Sequence, residues 1–358
     1  MESFCITMNP GRVLFGSGAR LHLAEEAGRL NMQRVVVIAA GRRADQPGEI
    51  ERLLGPIWVG TFDEAQMHTP VAVTDKALHF LRARGADGLV TIGGGSAIGL
   101  SKALALRTDL PQIVLPTTYA GSEVTPVVGE TRDGQKQIFS DPRILPESVI
   151  YDVDLTLAVR PGAAVLSGLN AIAHAVEALY ARDRNPLVSS IAIAGIELLA
   201  SALPVIARDG SDIPARARAL QGAWLCGTCL ALVGMSLHHK LCHTLGGMFD
   251  LPHAALHAAV LPHAAAFNES AVREHLKPVA RIFGAADAAT GLYRFACELG
   301  VEMALGAIGM PESGVATAVE ATLENPYWNP RALTAEGLRA LLEDAFAGRP
   351  PYIQTRRE

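Results

Sequence analysis

"LVTIGGGSAIGLSKALAL", residues 89–106, reads as a buried strand, a glycine turn and a helix in immediate succession. Gly93, Gly94 and Gly95 let the backbone approach a ligand closely, and Ser96 is the expected N-cap of the following helix. A helix that starts there offers free N–H groups and the positive end of its dipole to a phosphate. The spacing matches neither GxGxxG nor a P-loop: Gly99 is the next glycine, and no Gly-Lys-Ser/Thr follows. Taken alone, such a turn serves equally as a packing device. The strand before it and the helix after it favour a nucleotide phosphate.

The same alternation extends to both sides. "RVVVIAA" (34–40) and "QIVLPTT" (112–118) are continuous apolar runs, as expected of strands buried on both faces. "AVTDKALHFLRARG" (72–85) and "SAIGLSKALALRT" (96–108) carry helical spacing. Residues 1–160 are therefore expected to form an α/β, Rossmann-like, doubly wound parallel sheet. "LPTTYAGSEVTP" (115–126) places Thr117, Thr118 and Ser122 at the carboxyl ends of the strands, where such sheets bind ligands, unless it is simply a polar turn. After the 34–40 run, Gly41, Arg42 and Arg43 stand where a strict NAD site carries an acid for the ribose 2′-hydroxyl. NADPH is thus expected to be accepted as well as NADH.

From Pro161 onward the chain is alanine- and leucine-rich with apolar positions three and four apart, which predicts an all-α domain over 161–358. The chain has 358 residues, is 49% hydrophobic and carries a net charge of −5, an ordinary globular composition that argues against a nucleic-acid partner. Its five cysteines are no disulfide framework. Cys226 and Cys229 have redox or zinc spacing, but they sit in an uncharged run (222–237) read as a buried helix. That run is short of the ~20 residues of a membrane span. The first fifteen residues lack the basic and apolar blocks of a signal peptide, so the cytoplasm is the expected location, with no membrane partner.

Six of the eleven histidines fall between positions 238 and 263, beginning with "HHKLCHTLGGMFDLPH" (238–253). His239 and His243 are four apart and share a helix face. "GG" at 246–247 is expected to end that helix, and Pro252 to open the next, with His253 in its first turn. Upstream, Asn170 and His174 are also four apart. These residues would line one space. Three imidazoles suit a first-row metal, but a neutral asparagine is a far weaker ligand than a carboxylate. His238, His257 and His263 are read as packing residues. His68 has two readings, a border of the cofactor or a plain loop residue.

The chain resembles the iron-containing alcohol dehydrogenase superfamily from end to end. The marks are "GGGSAIGLSKA", "PTTYAGSEVTP", "GLNAIAHAVEALY", "HHKLCHTLGGMFDLPHA" and "NPRALTAEGLRALLEDAFAG". The resemblance implies a nucleotide domain of dehydroquinate synthase-like fold, a helical domain and a site between them. In metal-dependent members an Asp and three His bind the ion, and these fall on Asn170, His174, His239 and His253. His243 matches a further active-site histidine. The Asp is replaced here, and Gly99 replaces the Asp of the usual glycine loop. Both departures resemble the branch that reduces the C=C of maleylacetate to 3-oxoadipate with NADH or NADPH, in bacterial degradation of aromatic and chloroaromatic compounds. The resemblance implies that no metal is required, and that the enzyme is a homodimer.

The chemistry agrees with that branch. Maleylacetate is a dianion, optionally chloro-substituted, and hydride addition to its enone makes an enolate that needs stabilising and a proton. His243 or His253 is the expected proton donor, with His174, His239 and Asn170 shaping the pocket. Lys240, Thr117 and Thr118 are candidate partners for the carboxylates. The alternative is a metal-dependent alcohol or polyol dehydrogenase of the same superfamily, where a Lewis acid lowers the alcohol pKa.

Overall fold

The computed structural model describes residues 4–8, 11–41, 46–132 and 135–352. Its contacts divide into two units: Met8–Arg160 with Gly210–Leu220, and Pro161–Asp209 with Gln221–Glu358 and the N-terminal residues through Thr7.

In the first unit the elements run β1 (Arg12–Gly16), α1 (Leu23–Arg29), β2 (Val35–Ile38), α2 (Gln46–Leu54), β3 (Trp58–Phe62), α3 (Val71–Arg84), β4 (Gly88–Gly93), α4 (Gly95–Thr108), β5 (Gln112–Pro116), β6 (Val127–Arg132), β7 (Gln135–Ser140) and β8 (Ser148–Asp152). Six strands form one parallel sheet in the order β1-β8-β5-β4-β2-β3, while β6 and β7 make a separate hairpin. Strand β2 shows why its sequence is apolar without alternation. Val35 and Val37 enter one core with Leu23, Ala27 and Ile50, and Val36 and Ile38 enter the opposite core with Ala77, Leu81 and Leu104. Burying each such side chain is worth about 1.5–3 kcal/mol, so both faces select for aliphatics. Gly93 at the end of β4 is in register with Pro116 at the end of β5. The glycine loop and Thr117–Thr118 therefore leave the sheet at the same edge.

The second unit is built on α5 (Pro161–Ala178), α6 (Pro186–Arg208), the C-terminal part of α7 (Ile213–Leu232), α8 (Leu237–Phe249), α9 (His253–Ile282), α10 (Ala288–Glu298), α11 (Gly314–Glu324) and α12 (Ala335–Phe346). Pro161 and Pro186 each stand at a helix start, where the missing N–H costs nothing, and Asn185 caps α6 by accepting from Val188 N. Helix α6 is apolar and long enough to cross a membrane. Here it packs on α5, so closely that a Cβ on Gly168 would meet Leu203 Cδ2 at 2.6 Å. Cys226 and Cys229 are buried in α7, where burial pushes both thiols up, Cys229 to about 12. Both stay protonated and unreactive.

One boundary differs from expectation. Gly246 and Gly247 do not end α8, which continues to Phe249 and terminates at Asp250 in the left-handed region (φ 51°). Packing overrides the glycines. Leu245 enters the core with Leu241, Leu256 and Val260, and Phe249 packs against the same cluster. Helix α9 begins at His253, after Pro252 as expected.

Candidate active site

In the first unit, the turn after β4 is shaped for close approach. Gly93 has φ 145°, and its carbonyl accepts from Thr117 N at 2.9 Å. A Cβ on Gly94 would lie 2.9 Å from both Cγ2 and Oγ1 of Thr118, so the two loops touch through a missing side chain. Gly95 has open space at the same position. Ser96 is not the N-cap. Gly94 takes that place in an extended conformation, leaving Ser96 one residue inside α4, and no side chain caps the helix. The first turn of α4 thus keeps its N–H groups and dipole for an anion, which fits a dinucleotide phosphate.

The fit extends along α4. Gly99 stands where the family loop has an acid, and Thr69 Oγ1 would be 2.5 Å from a Cβ there. Lys102, absent from the sequence-level candidates, is fully buried; its Nζ donates to Ser122 O at 2.7 Å and Thr125 Oγ1 at 2.8 Å. Ser122 is therefore held by the lysine, with its own hydroxyl 3.4 Å from Nζ. Burial pushes the Lys102 ammonium down to about 7, against the opposing pull of Glu123. Gly41 adopts φ 75° after β2 and donates to Asp63 O at 2.7 Å. Arg42 and Arg43 lie outside the described residues. His68, with φ 63°, offers its carbonyl to Thr131 Oγ1 at 3.0 Å.

In the second unit the histidines form two tiers. The deep tier is Asn170, His174 and His239, all at most 3% exposed. His174 Nδ1 and His239 Nε2 share a hydrogen bond of 2.8 Å, and Asn170 Oδ1 is buried without a hydrogen-bond partner. Behind them lies Glu177, which sequence reasoning missed. Its carboxylate accepts from Ser236 N and His238 N at 2.8 Å each, and faces His239 Nδ1 at 2.7 Å. It thereby serves the N-terminus of α8 and orients an imidazole at once. With the Glu177 carboxylate as acceptor, His239 Nδ1 carries an N–H. Its Nε2 then accepts from His174 Nδ1–H. The signal was present: Asn170, His174 and Glu177 are spaced i, i+4, i+7 on one helix face.

The outer tier is reachable. His253 is exposed, and His243 and Lys240 are half-buried. His243 Nδ1 is 2.9 Å from the hydroxyl of Tyr327, a second residue that sequence reasoning missed. No local pattern links positions 84 apart. His253 and His257 rings are 4.3 Å apart. The packing reading of His238 and His257 has a structural counterpart: they are fully buried, share a 3.0 Å hydrogen bond, and are held well below the usual imidazole range by desolvation. With Cys242 they form a trio of donor atoms within 4.8 Å of one another. Structural zinc is normally four-coordinate, so this closed trio is one donor short. His263 is likewise buried and pushed down to about 4.

A parallel nucleotide sheet and a helical unit carrying this histidine array define a dehydrogenase of known type. The chain belongs to the iron-containing alcohol dehydrogenase family, whose models match residues 10–153 and, as its C-terminal part, 164–346. It is 50% identical over 351 residues to the maleylacetate reductase of Rhizobium sp. (strain MTP-10005), covering 98% of this chain and 100% of that one. The maleylacetate reductase of Sphingobium indicum is 49% identical, with 96% and 97% covered. A crystal structure of maleylacetate reductase from Agrobacterium tumefaciens superposes with a TM-score of 0.93 at 49% identity, over 98% of this chain and 100% of that one.

Proposed function

We propose that this chain is an NAD(P)H-dependent maleylacetate reductase, a cytoplasmic homodimer that reduces the C=C of maleylacetate to 3-oxoadipate without a catalytic metal. The observation that carries this reading is full-length identity of about half to relatives of that activity, with a neutral Asn170 among the histidines.

Bound nicotinamide supplies the hydride, which adds to the alkene carbon β to the ketone. The π electrons move to the ketone oxygen as an enolate, and a proton is delivered to the carbon between. The chain's own task is to bind two carboxylates, stabilise the enolate and place that proton. His243 and His253, in the outer tier, are the proposed proton donors. Lys240 is proposed to pair with a substrate carboxylate. The deep tier, Asn170, His174 and His239, sets the electrostatics from below. Gly41, Gly93–Gly95, Ser96, Thr117, Thr118 and Ser122 are the proposed cofactor contacts.

The donor set supports metal independence. Asn170, His174, His239 and His253 are all neutral ligands, and the nearby carboxylate, Glu177, is occupied by backbone N–H groups and His239 Nδ1. Three imidazoles suit zinc or ferrous iron, but an amide in place of a carboxylate leaves the ion's charge uncompensated and weakens the site. One observation favours the competing metal-dependent dehydrogenase: the unpartnered Asn170 Oδ1. The assay that separates them follows NADH absorbance with maleylacetate, with and without EDTA, beside elemental analysis. Undiminished turnover in EDTA is expected. Loss of activity with chelator, restored by iron or zinc, would sink the metal-free reading. Comparing kcat/KM for NADH and NADPH tests the cofactor reading, and light scattering in solution tests the dimer.

Gly94→Ala probes the glycine loop. Its Cβ collides with Thr118, and overpacking of this kind costs about 1–3 kcal/mol. If that cost falls on the cofactor, the KM for NADH rises roughly tenfold or more with little change in KM for maleylacetate.

A further inference from the structure

The "NPR" motif at 329–331 has no role in the account so far. Residues 325–334 form an irregular segment between α11 and α12. It is pinned to α9 by a reciprocal amide pair: Asn268 Nδ2 donates to Asn329 Oδ1 at 2.9 Å, and Asn329 Nδ2 donates to Asn268 Oδ1 at 2.7 Å. Asn329 Nδ2 also donates to Arg331 O at 2.7 Å, and the Arg331 side chain donates to Phe267 O at 2.7 Å. Pro330 disfavours helix at the residue before it, which suits a segment that must stay extended between two helices.

The contacts continue behind α9. Asn268 is fully buried and also hydrogen-bonds the Tyr180 hydroxyl. Tyr180 lies just beyond α5, and its O–H reaches Glu177 Oε1 at 3.4 Å. Counting donors fixes every direction. The Glu177 carboxylate accepts, so Tyr180 donates to it and receives one proton of the Asn268 amide. The other goes to Asn329 Oδ1, which leaves Asn268 Oδ1 to accept from Asn329. Flipping either amide alone would set N–H against N–H and oxygen against oxygen. Burial and the Glu177 charge push the Tyr180 phenol well above its ordinary range, so it remains a donor. At the far end, two residues before Asn329, the Tyr327 hydroxyl meets His243 Nδ1. One frame thus runs from Glu177, which holds His239, to the segment that meets His243.

We propose that Asn268 and Asn329 are positioning residues, whose amide pair joins the deep and outer tiers into one frame and sets where His243 stands. The proposal rests on the maleylacetate reductase reading above. Neither asparagine is assigned a contact with substrate or cofactor; each acts through what it fixes. A buried network with every donor and acceptor used has a single arrangement, and removing one member loosens the others. Misplacing an active-site group by about 1 Å can cost on the order of 100-fold in rate.

The test compares Asn329→Ala, Tyr180→Phe and the double variant in the full-length enzyme. Asn329→Ala is expected to lower kcat about 10- to 100-fold with the KM for maleylacetate within about threefold. Tyr180→Phe cuts the frame on the other side of Asn268 and should lower kcat in the same direction. The double variant should be no slower than the slower single one, because a broken frame is not broken twice. Trp328, beside Asn329 and one of three tryptophans, reports the segment without turnover. Tryptophan anisotropy should fall in Asn329→Ala. A kcat per folded chain equal to the parent's, effects that multiply in the double variant, or unchanged anisotropy would each overturn the proposal. A parent enzyme that leaves NADH untouched with maleylacetate overturns the functional reading instead, and the anisotropy still reads the frame.

Discussion

Purified Asn170→Asp protein is expected to carry about one divalent ion per chain where the parent carries far less, because one carboxylate completes the Asp-His₃ donor set. Asn170 lies one turn before His174 on α5 and is 2% exposed. The substitution is nearly isosteric, so packing is preserved and only charge and ligand strength change. Without metal the new carboxylate is buried and unpaired, which costs several kcal/mol and lowers the thermal midpoint. At a free ion concentration about 1,000 times Kd, binding returns about 4 kcal/mol. The melting temperature of the variant should therefore rise with zinc and fall with EDTA, while the parent responds to neither. Maleylacetate reduction should drop by roughly a hundredfold, since a negative charge now faces a dianion in a site of low dielectric. Equal metal content in variant and parent, with chelator-insensitive melting in both, would show that Asn170 is not what decides metal binding.

Loss of Glu177 should be the most destabilising single change in the helical unit. Glu177→Ala strands three buried donors, Ser236 N, His238 N and His239 Nδ1. Each unsatisfied buried donor costs about 1–3 kcal/mol, so the sum, about 3–9 kcal/mol, is comparable to the whole stability of an ordinary domain. Urea denaturation measures it, and a midpoint indistinguishable from the parent's contradicts this account. Glu177→Gln separates support from chemistry. Its carbonyl still accepts from His238 N, while an NH₂ in place of Oε2 donates to His239 Nδ1 and leaves Ser236 N without its acceptor, a smaller loss than in Glu177→Ala. The donation at Nδ1 forces the opposite tautomer on His239, whose Nε2–H must then point at His174. The variant should fold, and kcat should fall at least tenfold with KM nearly unchanged.

The sequence made the parallel sheet legible because burial on both faces writes unbroken aliphatic runs such as Val35–Ile38. It also made the histidine array legible, because helical spacing places His239 beside His243. The likeness of "GLNAIAHAVEALY" to the family motif singled out Asn170. What escaped has two physical causes. The spacing of Glu177 puts it on the helix face of Asn170 and His174, but nothing local says which backbone amides it will meet across the chain. Tyr327 reaches His243 only through tertiary folding, with no periodicity to announce it. The end of α8 was misplaced because local glycine propensity is weaker than the packing of Leu245 and Phe249.

The division into two units carries a lesson about synthesis. Neither unit is a contiguous stretch, since Gly210–Leu220 belongs with Met8–Arg160. Arg216, 1% exposed, donates to Val159 O at 2.8 Å and Gly210 O at 2.9 Å. Strand β1 already waits for β8, emerging more than a hundred residues later, to find its parallel neighbour. As the chain leaves the ribosome, the sheet can close only after β8 and is finished only when Arg216 arrives, after the whole of α6. A fragment cut at Arg160 would lack that last strap, so separating the nucleotide half from the rest of the chain is expected to yield a loosened sheet, slow to fold and prone to aggregate.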